Sequence, residues 1–365
     1  MIFDSRIHPE LQDELLKYIK TELLVNKNSL LAKWMPRKGK VAVLLRMNLH
    51  WTPKFYRKTI VGLTNVVETK MCSNDWENIE YKKVPSLAMT RYRTAFGRHD
   101  QERFNEFNQK VIDGEETVNV GAIYPYDVIK QCLLYNTSID ELSITAQWNS
   151  LPNYMDGSSN FRILPVCDVS GSMDSIIGNN KNLTAMIICI SLGLYISERN
   201  IGAFKDYFMT FSSSPLLQKL TGSNIVEKAR NLRRANWGMS TDLEATFEEI
   251  LIKAVQSKVS HNEMPTHILI LSDMEFDGCV SNSNATAMEM IKDKYNRYGY
   301  ELPNVIFWNL QSRNENVPVK SNENGVALVS GFSPSIMTSL LKGNLDPMKV
   351  LMDTINVERY SKIKV

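Results

Sequence analysis

RILPVCDVSGSM, at residues 162–173, joins a run of apolar residues to a cluster of small oxygen-bearing ones. The run reads as a strand buried on both faces, and the cluster stands where that strand ends and a helix soon begins. Ligands of open α/β sheets bind at that carboxyl edge. Two further pieces stand at equivalent edges: Ser240-Thr241-Asp242, opening a helix, and Ser272-Asp273-Met274-Glu275, ending the apolar strand HILIL at 267–271. Their carboxylates and hydroxyls are hard donors, suited to Mg2+ and similar ions, which prefer octahedral oxygen and keep some of their water.

Outward from this stretch, strands and helices alternate. LTAMIICISLGLYISE (183–198) reads as a helix and DYFMTFSS (206–213) as a strand. A helix from Thr241 to Ser257, the strand HILILSD (267–273), a helix near 285–298 and the strands NVIFWNL (304–310) and VALVSG (326–331) follow. Such alternation means a mostly parallel sheet. Upstream, LPNYMDGSSN (151–160) is rich in turn formers and reads as a linker. Before it the pattern is helical. Leu11, Leu15, Leu16, Ile19, Leu23 and Leu24 recur at helical spacing over 9–31, up to the basic turn Pro36-Arg37-Lys38-Gly39-Lys40. Thr52 and Pro53 open a helix over 53–71, and shorter helices are expected at 86–96, 100–113 and 126–135. The expected domains are 1–155, mainly helical and basic, and 156–365, α/β.

The 365 residues are 43% hydrophobic and 22% charged, which excludes fibrous and disordered classes. No run approaches the ~18 to 20 apolar residues of a bilayer span. The N-terminal MIFDSRIHPE carries charge where a signal peptide would be apolar. A soluble cytoplasmic protein with no membrane partner is therefore expected. Five dispersed cysteines without a Cys-x-x-Cys pair suggest neither a disulfide framework nor a zinc ribbon. Phosphate-binding glycine loops, a nucleophile elbow and a His-Glu-x-x-His pair are all absent from the sequence. Arg98-His99-Asp100 lacks the further ligands of a phosphohydrolase, and the run from Asp273 to Asn284 lacks the final glutamate of a calcium loop. A non-enzyme is expected; a metal-dependent hydrolase would need Glu275 or Asp277 as its base. The net charge of +2 hides an asymmetry, since residues 31–110 hold 16 Lys and Arg against 7 Asp and Glu.

Asp168-x-Ser170-x-Ser172, then Thr241, then Asp273 resembles the metal-ion-dependent adhesion site of the von Willebrand factor A domain. That resemblance covers roughly 160–345. It implies hydroxyl ligands from Ser170, Ser172 and Thr241, with Asp168 and Asp273 acting through water or hydrogen bonds. Ser240 competes with Thr241 for the hydroxyl role, and Asp242 reads as a helix-start acid rather than a site residue. Over nearly the whole chain, phrases such as PKFYRK, VPSLAM, CDVSGSM, SDMEFD and GYELPNVIFWNL resemble an uncharacterised family of plants, fungi and large DNA viruses. That family joins a helical N-terminal region to a C-terminal von Willebrand A domain, an architecture similar to that of the Ro ribonucleoproteins. The fold class implied is α/β: a von Willebrand A (Rossmann-like, mostly parallel sheet) C-terminal domain with a mainly helical N-terminal domain.

The resemblance implies a divalent ion, Mg2+ with Mn2+ or Ca2+ as substitutes, whose open position takes an acidic side chain of a protein ligand. The alternative is a Ro-like RNA- or DNA-binding protein. It would use the aromatic-interleaved basic segment, with Arg37, Lys38, Lys40, Arg57, Lys58, Arg91, Arg93 and Arg98 neutralising phosphates.

Overall fold

The computed structural model describes residues 8–121, 123–134, 140–156, 161–168, 170–177, 182–210, 215–235, 243–273, 284–311, 326–331, 334–341 and 346–356. The chain separates into two compact units, Met1–Phe104 and Asn105–Val365.

The first unit is helical: α1 (Pro9–Leu24), α2 (Ser29–Trp34), α3 (Gly39–Asn48), α4 (Pro53–Leu63), α5 (Val67–Cys72) and α6 (Ser86–His99), with α7 (Gln101–Ile112) beginning inside it. The helix expected over 9–31 is two. Lys27 takes a left-handed φ of 52°, and the Asn28 side chain then caps α2 by accepting from the Leu31 amide. The helix expected over 53–71 also divides, into α4 and α5. Thr52 caps α4 as expected, accepting from the Phe55 amide at 3.2 Å, with Pro53 in the first turn. Leu16, Ile19 and Leu23 of α1 bury with Ala32, Leu45 and Ile60, each large side chain contributing about 1.5–3 kcal/mol.

The second unit holds α8 (Pro125–Leu134), α9 (Glu141–Asn149), β1 (Ile163–Cys167), α10 (Ala185–Arg199), β2 (Tyr207–Thr210), β3 (Leu217–Lys219), α11 (Ile225–Arg233) and α12 (Leu243–Gln256). It continues through β4 (His267–Ser272), α13 (Asn284–Arg297), β5 (Asn304–Asn309), β6 (Val326–Ser330), α14 (Pro334–Leu341) and α15 (Pro347–Ile355). The strands form one sheet in the order β3-β2-β1-β4-β5-β6, parallel throughout except that β3 runs antiparallel to β2. Alternate residues of each strand serve the two faces. Ile163, Cys167, Leu269, Leu271, Ile306 and Trp308 join one core, while Leu164, Val166, Ile268, Ile270, Val305 and Phe307 join the other. Twelve of the fifteen residues of α10 are buried, so that helix is apolar on nearly every side. The fold class is thus the expected one, a Rossmann-like, mostly parallel α/β sheet after a mainly helical region.

The compact units divide before the expected linker. α8 and α9 pack with α10 and α11 in the second unit. Trp148 of α9 shows why: its buried indole donates from Nε1 to Glu198 Oε2 of α10 at 2.6 Å, and Lys228 of α11 holds the other oxygen at 2.6 Å. Among the described residues, no helix is long and apolar enough to cross a membrane.

Candidate metal centre at the sheet edge

β1 and β4 are parallel neighbours in a register that sets Cys167 against Leu271. One step further along each strand lie Asp168 and Ser272, and the Asp168 amide still donates to the Leu271 carbonyl at 3.0 Å. The two carboxyl ends therefore deliver their side chains to one place. Ser272 donates from Oγ to Asp168 Oδ2 at 2.6 Å. The other carboxylate oxygen, Oδ1, accepts the Ser170 amide at 2.9 Å and turns the chain into the short 3-10 helix Gly171–Asp174. That turn brings the Ser170 and Ser172 hydroxyls within 2.9 Å of each other. Beyond it, Ser175 donates to Gln311 Oε1 at 3.1 Å, and Gln311 Nε2 donates to the Ile176 carbonyl at 3.1 Å, so the chain after β5 braces the loop.

The site is deep. Asp168 is 7% exposed and Asp273 2%. Burial pushes the Asp168 carboxyl above its usual range; the Ser272 and Ser170 hydrogen bonds oppose that shift, and the neighbouring Asp273 charge adds to it. Beneath Asp168, the buried thiols of Cys167 and Cys189 lie together, and Cys189 donates to the Leu271 carbonyl at 3.6 Å. Burial, then the Cys167 thiol beside it, raises the Cys189 thiol well above its ordinary value, so Cys189 is neutral packing under the site.

Asp168, Ser170 and Ser172 are joined directly, and Asp273 follows the Ser272 that binds Asp168. Thr241 lies outside the described residues, as do Ser240, Asp242, Glu275 and Asp277; α12, which that segment was expected to open, begins at Leu243. Gln311 had no place in the sequence reading, and Ser272 stood there only as part of the donor run that ends the HILIL strand, with no role of its own. Ser272 carried a signal, since it is a hydroxyl at the end of an apolar strand beside Asp273. Among the described residues, no group of three or more His, Cys, Asp and Glu could hold a metal, so an ion here would depend on the serine hydroxyls.

The family described as a domain of unknown function, DUF7788, matches residues 162–362, more than half of the chain. The chain belongs to that family. A second domain of unknown function, DUF2828, matches residues 45–160. An uncharacterized protein, L728, of Acanthamoeba polyphaga mimivirus is 28% identical over 354 residues, covering 90% of this chain. The chain spans 60% of the length of that relative. Among solved structures, that of the Deinococcus radiodurans Ro (RSR) protein is similar at 15% identity and a TM-score of 0.47, over 92% of this chain and 77% of that one.

The DUF7788 region thus contains every candidate metal residue, while the basic residues from Arg57 to Arg98 fall in the DUF2828 region and Arg37, Lys38 and Lys40 precede it. Arg37, Lys38, Lys40, Arg57, Lys58, Arg91 and Arg98 are exposed. Arg93 is not. It is 9% exposed, on the inward stripe of α6 with Met89 and Phe96, so it has little surface to offer a phosphate. The expected phosphate contacts are therefore reduced by Arg93.

Proposed function

We propose that this is a non-enzymatic, divalent-metal-dependent binding protein that engages an acidic side chain of a protein partner at the carboxyl edge of its sheet. The observation that carries this reading is the hydroxyl pair. Two neighbouring ligands of an octahedral ion at ~2.1 Å stand about 3 Å apart, and Ser170 Oγ and Ser172 Oγ are 2.9 Å apart. In this reading they bind the ion together with Thr241. Asp168 and Asp273 then act from the outer shell, Asp168 already oriented by Ser272 and by the Ser170 amide. Bound there, Mg2+ or Mn2+ would supply a Lewis-acidic open position. Neutral hydroxyl ligands leave the ion most of its charge, which favours completion by a carboxylate from outside. The strand order, with the antiparallel edge strand β3, and the Asp-x-Ser-x-Ser turn support the von Willebrand A reading of this unit.

Titration calorimetry of the full chain with Mg2+ and Mn2+ tests the proposal. Stoichiometric binding is expected, weakened about 10- to 100-fold by Asp168→Ala. A folded wild-type chain that gives no heat with either ion, together with an empty site in a metal-soaked crystal, overturns it.

A further inference from the structure

From Leu23 to Val67 the chain carries no aspartate or glutamate, yet nine lysines and arginines. α4 runs through this acid-free segment and is two-faced. Tyr56 and Ile60 are buried, while Lys54, Arg57, Lys58 and Val61, at spacings of three and four, form an exposed stripe. The basic loop before α3 is tied alongside. Tyr56 donates its hydroxyl to the Pro36 carbonyl at 2.9 Å, and Arg37 donates to Thr64 Oγ1 at 3.2 Å. Thr64 lies three residues beyond Val61 and seven beyond Arg57, so Arg37 extends the α4 stripe, and the exposed Lys38 and Lys40 follow it.

Among the described residues, none of these six cations is paired with a carboxylate; Lys33, by contrast, is held by Glu68 at 2.5 Å. Large apolar side chains share the segment's surface: Trp34 is 74% exposed, Val61 57%, Val41 53% and Phe55 45%.

Cations alone would suit a nucleic-acid backbone, but exposed valines have nothing to gain from phosphates and sugars. The exposed apolar groups alone would suit a protein, but the contact regions of protein partners are depleted in lysine. Unpaired cations mixed with aliphatic residues and a tryptophan fit an anionic lipid surface. There, the charges meet headgroups while the apolar tips reach the acyl boundary. We propose that the α4 stripe and the adjoining Arg37–Lys40 loop dock this unit on the surface of an anionic bilayer. The protein lies on the membrane and does not cross it. This departs from the expectation that no membrane takes part, which rested on the lack of a spanning segment.

The test is co-sedimentation of the full chain with vesicles of phosphatidylcholine, with and without about 30% phosphatidylserine. The chain should bind only the anionic vesicles, and more weakly as salt rises. The triple variant Lys54→Glu, Arg57→Glu, Lys58→Glu should lower partitioning at least ~100-fold, and Lys58→Gln alone about fivefold. The single neutralisation serves if the triple variant does not fold. Val61→Ser should weaken binding while leaving the salt dependence unchanged, since it removes apolar contact without altering charge. Failure of the wild-type chain to bind anionic vesicles overturns the proposal, as does binding indifferent to all these changes. If the chain ignores vesicles but binds labelled single-stranded RNA, and the charge reversal abolishes that binding, the face belongs to nucleic acid and the proposal is wrong.

Discussion

Gly193, in the middle of α10, faces the last residue of β1, and a Cβ added there would stand 2.5 Å from Cys167 Sγ. Comfortable contact needs about 3.5–4 Å, so roughly 1 Å has to be found. It cannot be found cheaply, because Cys167 and Cys189 are both fully buried and packed together. Gly193→Ala therefore sets two effects against each other. Alanine gains about 1 kcal/mol over glycine in a helix interior, while overpacking costs about 1–3 kcal/mol. The expected net is a loss of about 1 kcal/mol in the parent. In a Cys167→Ala background the obstructing sulfur is gone, only the helical gain remains, and the same substitution should stabilise. Urea denaturation of the four proteins of this cycle measures the sign change and a coupling of about 1–3 kcal/mol. If Gly193→Ala stabilises the parent, or if Cys167→Ala leaves its effect unaltered, the close approach of α10 to β1 is not what selects glycine here.

Ser272→Ala removes the 2.6 Å hydrogen bond to a buried carboxylate and should cost about 1.5–3 kcal/mol of stability in urea unfolding, while weakening Mg2+ binding in calorimetry. Loss of stability without any change in metal binding would make Ser272 a purely structural partner of Asp168. His267 gives a pH signature. Burial holds its imidazole down to about 4, against an ordinary 6.5, so the unfolded chain takes up the proton first. The stability this group contributes is complete above pH ~6.5 and lost as pH falls through about 4. Residual solvent screening of this partly buried ring limits the total to about 2 kcal/mol. His267→Gln should flatten the unfolding midpoint between pH 7 and 4.5, and an unchanged slope would show that the ring is protonated in the folded chain.

The strands were legible because each core strand is a continuous apolar run that could be read without knowing its neighbours. β1, β4, β5 and β6 all fall inside runs picked out by composition. What stayed hidden has local causes. Lys27 takes a left-handed backbone conformation that lysine seldom adopts, so nothing in its identity announces the break between α1 and α2. The three residues of β3 are too few to show a period. α9 buries Ser143, Ile144, Ala146, Gln147 and Trp148, which lie around much of its circumference, so no stripe marks it. Arg93 is the reverse case: Met89, Arg93 and Phe96 share one inward face of α6 at helical spacing. The helical period was present, but a guanidinium on it looks like a surface charge.

The candidate site was legible for a different reason, one of topology. In a parallel sheet every strand ends at the same edge, so the residues after two adjacent strands must meet wherever the register is level. Cys167 pairs with Leu271 and Ile163 with His267, level along the whole contact. Any hydroxyl or carboxylate just beyond either strand is therefore delivered to the other, and that is how Asp168 comes to accept from Ser272, 104 residues away. Pairing of this kind cannot be read from spacing, which says nothing about which strands are neighbours. Given the strand order, it follows without further assumption. Ser170 and Ser172 needed no topology at all, since the turn closed by the Asp168 carboxylate on the Ser170 amide sets their separation locally.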